Sequence, residues 1–226
     1  MDSPSLDRVR HVEALSALAR VNAVSLSARR VWAEITRLRR RGVEPVRVLD
    51  VACGGGDVLH GLARRARKTG TRVELHGCDV SPVALDRARR PGADGLDVTY
   101  HQIDVLQDSI PAGFDVVCSS LFLHHLTGEA AVRLLGAMAA ATLRVLIVQD
   151  LLRTRLGYVY ARVGLGVLTR SDVARHDGLV SVASAFTLDE AKALCRDAGL
   201  SDAELVRCWP QRFTLRWERV WHGEMC

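Results

Sequence analysis

Between residues 46 and 150 short apolar runs alternate with amphipathic stretches, and each changeover carries a polar or small residue. Val46, Val48, Leu49 and Val51 form an aliphatic run that reads as a buried strand. It gives way to Cys53, three glycines and Asp57, and then to a helical pattern in which Val58, Leu59, Leu62, Ala63 and Ala66 share one face, with Gly70 as the stop. Residues 72–78 read as a second strand closing on Asp79. Ser81 and Pro82 then supply the N-cap and first turn of a helix through Val83, Leu85 and Ala88. Val98 to Ile103, Phe114 to Cys118 and Val145 to Val148 predict three further strands, the last ending in Gln149-Asp150. Ala130, Val132, Leu134, Leu135 and Met138 give the helix between the last two. This alternation predicts an α/β fold on a mostly parallel sheet with helices on both faces.

The second half departs from that rhythm. Thr187 to Glu190 is a capping box opening a helix that stops near Gly199. Ala203 to Cys208 and Gln211 to Val220, parted by Pro210, read as a closing pair of strands. Residues 152–185 make an insertion whose length points to function. Leu156, Tyr158, Val159, Val163, Leu165, Val167 and Leu168 predict one or two helices that cap the crevice and form an acceptor pocket. Its length and Arg155 and Arg162 exclude a membrane span, which needs ~20 predominantly apolar residues. Its polar continuation makes His176 a candidate acceptor contact, with a plain surface loop as the alternative.

Charge and composition narrow the class. Residues 1–41 hold nine arginines against four acids, so the net charge of +5 resides in this arm and the remainder balances. Leu15, Leu18, Val21, Leu26, Val31, Trp32, Ile35 and Leu38 mark it as one or two amphipathic helices. With Trp32 as its single aromatic the arm lacks the aromatic interleaving of a nucleic-acid surface. We therefore expect residues 1–42 to be a helical lid, with Arg29 or Arg30 as possible partners for an anion, and residues 43–226 to be the main domain. Six scattered cysteines carry no Cys-x-x-Cys or zinc-ligand spacing. They argue for a reduced protein without metal, and Cys53 and Cys118 read as small core residues. The first residues hold no apolar signal core, so a cytoplasmic location is expected.

The strand ends carry the chemistry. A dinucleotide fingerprint reads Gly-x-Gly-x-x-Gly, but the position due after Gly54 and Gly56 is Leu59. Asp50 and Asp57 also flank the turn and would repel a phosphate, which disfavours a dehydrogenase. Asp50 suits a positive amino group instead. Asp79, at the end of the second strand, is placed to accept ribose hydroxyls, or else simply to help cap its helix. Three carboxylates, Asp50, Asp79 and Asp104, thus stand at three successive strand ends.

The stretch from Val48 to Asp57 resembles motif I of the class I S-adenosylmethionine-dependent methyltransferases, with Ala52 in place of the first glycine and a slightly tighter turn expected there. That resemblance covers residues 43–220. It implies a Rossmann-like seven-stranded sheet with a final antiparallel pair. It also implies cofactor contacts from Asp50, Ala52, Cys53, Gly54, Gly56, Asp79, Val80, Asp104, Val105, Ser119, Ser120 and Leu121. The segment from Phe114 to Leu126 is similar to motif IV of the small-molecule branch and lacks the Pro-Pro-aromatic segment of DNA amino-methyltransferases. His125 and His124 are the candidate catalytic residues, since imidazole can take a hydroxyl proton near neutral pH. For His124 the expectation is packing with a backbone hydrogen bond; for His125 both readings stand. The resemblance implies methyl transfer from S-adenosyl-L-methionine to a small-molecule acceptor, an oxygen of an aromatic, quinone or polyketide-like compound. Carbon methylation of a quinone ring and a non-catalytic cofactor-binding module are the alternatives. No nucleic-acid partner or metal is expected, and the state is monomer or homodimer.

Overall fold

The computed structural model describes residues 27–90, 98–159, 162 and 172–220, with backbone alone for 172–177. Seven strands lie in the order β3-β2-β1-β4-β5-β7-β6. They are β1 (Val46–Val51), β2 (Val73–Asp79), β3 (Val98–Gln102), β4 (Phe114–Ser120), β5 (Thr142–Leu151), β6 (Glu204–Cys208) and β7 (Arg212–Glu218). The first five pair in parallel, and β7 runs antiparallel to both β5 and β6. The described helices are α1 (Ser27–Arg40), α2 (Asp57–Thr69), α3 (Pro82–Ala88), α4 (Gly128–Ala141), α5 (Asp172–Ser184) and α6 (Leu188–Asp197). Residues 155–159 are also helical, and Leu123–His125 forms a 3-10 turn.

Local signals set the boundaries. Gly70 caps α2 in the left-handed region and donates its N–H to Ala66 and Arg67 carbonyls. Ser81 Oγ accepts the Ala84 N–H, with Pro82 in the first turn of α3. Thr187 and Glu190 close a reciprocal capping box on α6. The central strands β1 and β4 are buried almost throughout, as a sheet covered on both faces requires.

Two cores lie on opposite faces of the sheet. Leu134, Leu135 and Met138 of α4 and Ala191 and Leu194 of α6 pack with Leu49, Val117, Leu146 and Phe213 on one face. Val31, Ile35 and Leu38 of α1 join Leu59 and Leu62 of α2 over Val48, Val116 and Ile147 on the other. Helix α1 is therefore part of a core, not a cover over the strand ends. The reason is its apolar face, which is long enough to be buried by the sheet itself; Arg216 of β7 adds an ion pair to Glu34 at 2.9 Å. The rest of the segment expected as a lid, residues 1–26, lies outside the described residues. Arg29 is exposed on α1. No helix among the described residues is long and apolar enough to cross a membrane.

Candidate functional site

The carboxyl ends of the parallel strands deliver the polar residues to one edge of the sheet. Asp50 leaves β1 beside Gly77 of β2 and Cys118 of β4. The chain then turns through Ala52, Gly54 and Gly56, all at positive φ. Gly56 is required on two counts: its φ is 76°, and a Cβ there would lie 2.5 Å from the Tyr100 hydroxyl. Ala52 holds φ 55° without that freedom. The expected tight fit is thus a backbone cost, about 1–2 kcal/mol for a left-handed L-residue.

Asp79 locks this turn. Its Oδ2 accepts the Gly54 N–H at 2.8 Å, and its Oδ1 accepts the Ser81 N–H at 2.9 Å. Capping α3 is the work of Ser81, so Asp79 instead ties the glycine turn to the start of that helix.

Asp50 is only 2 % exposed. Burial is the main cause that lifts its carboxyl to about 7; the negative charges of Asp79 and Asp57 add to the rise, against a hydrogen bond from Cys118. The Cys118 thiol donates to Asp50 Oδ1 at 3.6 Å, and burial pushes that thiol well above its ordinary value. Cys53 and Cys78 are raised for the same reason, Cys78 to about 12. None of these thiols is a nucleophile at neutral pH. The turn instead offers a dry acidic wall that gains most from a cation.

At the β3 end the Asp104 Oδ1 accepts the Leu106 N–H at 3.0 Å, forming a tight turn. Val80 is 58 % exposed and Leu106 46 % exposed, on either side of the acidic edge. Val105, expected at the cofactor, is 9 % exposed and packs with the α4 core. The turn at Asp104 exchanges the two: the residue after the carboxylate points inward, and Leu106 supplies the outward apolar surface.

At the β4 end Ser119 is buried, and Leu121 adopts φ 60° with its N–H donated to Gln149. Ser120 Oγ is buried without a hydrogen-bond partner. The 3-10 turn then brings His124 against β5. Its Nδ1 lies 2.6 Å from Asp150 Oδ1, and its backbone N–H donates to Asp150 Oδ2 at 3.1 Å. The backbone hydrogen bond expected for His124 is present, but the ring is also held by a carboxylate buried to 1 %. His125 is exposed, its ring 4.2 Å from that of His124 and 6.3 Å from that of Phe122. Asp150 orients the His124 ring through Nδ1, a role that leaves Nε2 as the acceptor.

Sequence reasoning missed Asp150 and Arg212. Asp150 carries the same signal as the three recognised acids, a carboxylate at a parallel strand end. Arg212 opens β7 across from Leu151, and nothing in its neighbourhood marks it. Helix α5 packs on the 3-10 turn, so the second part of the insertion does reach the histidines. The alternative of a plain surface loop does not hold for this stretch, which is helical from Asp172 to Ser184. The His176 side chain lies outside the described residues. A cavity of about 510 Å³ opens at the opposite edge, between Leu38, Arg41, Arg144, Glu204 and Glu218. Glu218 pairs there with Arg41 at 2.8 Å and Arg216 at 2.7 Å, Arg144 pairs with Asp115 at 3.0 Å, and the cavity holds none of the strand-end acids.

A family profile described as a methyltransferase domain matches residues 48–144. That span runs from β1 to the start of β5 and contains the glycine turn, Asp79, Asp104 and the histidine turn. Over that span the chain is similar to the methyltransferase domain family. It is similar to ubiquinone biosynthesis O-methyltransferases: 39 % identical to that of Alkalilimnicola ehrlichii over 93 residues, 40 % of this chain and 35 % of the relative. With that of an Azoarcus species it is 33 % identical over 167 residues, 70 % of this chain and 66 % of the relative. The chain therefore spans from about a third to just under two thirds of those relatives' lengths. Its fold is similar to magnesium protoporphyrin IX methyltransferase of Synechocystis with bound S-adenosylhomocysteine, with a TM-score of 0.56 at 18 % identity, covering 85 % of this chain and 83 % of the other.

Proposed function

We propose that this chain transfers a methyl group from S-adenosyl-L-methionine to an oxygen of a small aromatic, quinone or polyketide-like acceptor. The observation that carries the reading is the His124–Asp150 pair, fixed at 2.6 Å on the same strand edge as the glycine turn. The residues present fit the cofactor. Ser120 Oγ is a buried polar atom lacking a partner, the turn at Gly56 has no room for a Cβ, and the acids suit ammonium and hydroxyl donors rather than phosphate. When bound, the cofactor supplies a methyl on a sulfonium, which leaves the S–CH3 bonding pair on sulfur as the acceptor oxygen forms its new bond.

The protein's own work is alignment, desolvation and proton removal. Asp50, nearly devoid of water, pairs with the ammonium group, and Asp79 receives the ribose hydroxyls without moving, since two backbone N–H groups already orient it. Val80 and Leu106 supply apolar surface to the adenine, and Asp104 an acceptor for its amino group. His124, in the tautomer with its proton on Nδ1 toward Asp150, takes the acceptor's hydroxyl proton on Nε2. Asp150 stabilises the resulting imidazolium.

Calorimetry with S-adenosylhomocysteine, followed by transfer of labelled methyl to a panel of phenols, hydroquinones and hydroxylated polyketide-type rings, tests the reading. Binding with label on oxygen supports it. Label on ring carbon reassigns the acceptor atom, binding without any product leaves a cofactor-binding module, and absence of binding overturns the reading altogether.

A further inference from the structure

The short helix at residues 155–159 has its small residue inside and its large ones outside. Gly157 faces the protein: a Cβ there would lie 2.9 Å from Thr154 Oγ1 and 3.3 Å from both Gln211 Cβ and the Leu152 carbonyl oxygen. With about 100° between successive helical residues, the opposite side falls between Arg155 and Val159, and Leu156 and Tyr158 flank it. These apolar side chains stand in solvent: Leu156 is 48 % exposed, Val159 52 % and Tyr158 41 %. A surface helix of a globular protein turns the other way, apolar stripe inward. Three large apolar side chains exposed within one turn mark a contact with something outside the fold.

The neighbouring hairpin extends this surface. Thr154 Oγ1 donates to Gln211 Oε1 at 2.9 Å, and the Leu152 N–H donates to the Gln211 carbonyl at 3.0 Å, so the helix rests on the turn between β6 and β7. That turn carries Trp209, 70 % exposed. Because Arg212 pairs with Leu151, the turn lies at the carboxyl end of β5. The apolar surface therefore stands on the same edge as the histidine turn, on the β7 side and away from the glycine turn. Its charge has one sign. Residues 151–171 hold four arginines and no aspartate or glutamate. Arg153 is paired with Glu190, whereas Arg155 and Arg207 are exposed with no carboxylate partner among the described residues.

We propose that this edge docks on an anionic lipid surface, with Leu156, Tyr158, Val159 and Trp209 entering the headgroup layer and Arg155 and Arg207 facing its phosphates. Tyrosine and tryptophan favour that layer because each carries an apolar body and a polar tip. Arginines beside an anionic surface add an attraction that salt screens. A second copy is disfavoured by charge, since a two-fold contact through this surface would set its arginines against themselves. A protein partner is held chiefly by side chains seated in hollows, whereas these stand on the outer arc of a helical turn. The docking is independent of the acceptor's identity, and it turns the edge bearing His124 toward the lipid.

Flotation of the full chain with vesicles of phosphatidylglycerol and phosphatidylcholine, set against vesicles of phosphatidylcholine alone, tests the proposal. Binding to the anionic vesicles is expected to be about tenfold stronger, and to be mostly lost as salt rises from about 0.1 M to about 0.5 M. Leu156→Ser with Val159→Ser is expected to weaken it about tenfold or more. As an exposed pair, that variant should keep the melting temperature and hold S-adenosylhomocysteine affinity within about twofold. Arg155→Gln with Arg207→Gln is expected to remove the preference for anionic over neutral vesicles, and stays readable should the serine variant fold poorly. No binding to anionic vesicles, or binding that the serine variant keeps in full, overturns the proposal. Self-association that the serine variant abolishes, without vesicle binding, assigns the surface to a second copy and overturns it too. Binding to polyglutamate but not to vesicles assigns it to an acidic protein, with the same consequence.

Discussion

His124 Nδ1 and Asp150 Oδ1 stand 2.6 Å apart, both almost fully buried. The contact joins the turn after β4 to the end of β5 and fixes the imidazole tautomer from behind. If Nε2 is the base, His124→Gln should lower turnover of a weakly acidic phenol by about 10²-fold or more. Asp150→Asn should cost a comparable factor, and the double variant little beyond either, since the pair acts as a unit. Affinity for S-adenosylhomocysteine should stay within about twofold. Phenols already ionised at the assay pH should lose far less, and equal losses across all phenols would remove the base role. His125→Ala, at an exposed ring, should have the smaller effect.

The raised carboxyl of Asp50 predicts a pH dependence of binding. Its folded value of about 7 lies above the unfolded 3.8, so the empty protein holds an extra proton across that window. By linkage, this group's contribution to stability falls as pH rises from about 4 to 7 and is level above. A bound ammonium favours the ionised form. Affinity for S-adenosylhomocysteine should therefore rise about tenfold from pH 6 to pH 8, measured by calorimetry in a buffer of low ionisation heat. Asp50→Asn should bind weakly and show a flat profile. A steep profile in that variant would assign the proton to another group.

Ala52 predicts a stabilising substitution. Relief of its left-handed backbone by Ala52→Gly outweighs the added freedom of glycine in the unfolded chain. The net gain should be about 0.5–1 kcal/mol in the denaturant midpoint. A loss of stability would mean that contacts of the Ala52 methyl outweigh the backbone strain.

Asp79→Asn keeps the size of the side chain but turns an amide donor toward one of two backbone N–H groups. Stability and cofactor affinity should fall together, each by about 1–3 kcal/mol. Asp104→Asn breaks no comparable clamp and should weaken binding with little change in melting temperature. An unaltered affinity in Asp79→Asn would take the clamp out of the site.

Most of the parallel sheet was legible in the sequence because each strand is a compact apolar run ending in a polar residue, and each helix has a capping signal. Ser81-Pro82, the Thr187–Glu190 box and Gly70 do in the structure what their residue types suggest. The first and fourth strand ends were readable for the same reason. Illegible were the features that depend on partners distant in sequence. Val105 and Leu106 differ by one position, and only the turn made by Asp104 decides which of them is buried. The orientation of His124 depends on Asp150, 26 residues away. Arg212 looks like any surface arginine until strand order places it beside β5. Helix α1 has the amphipathic face of a lid or of a core helix, and the sheet's own need for cover decided which it became.

The double backbone grip of Asp79 implies that the nucleoside meets a bend already set in its final shape. Little ordering entropy remains to be lost at that end of the crevice on encounter, so association there should resemble a key entering a rigid lock. On the proposed function, whatever rearrangement accompanies turnover is left to the acceptor's side.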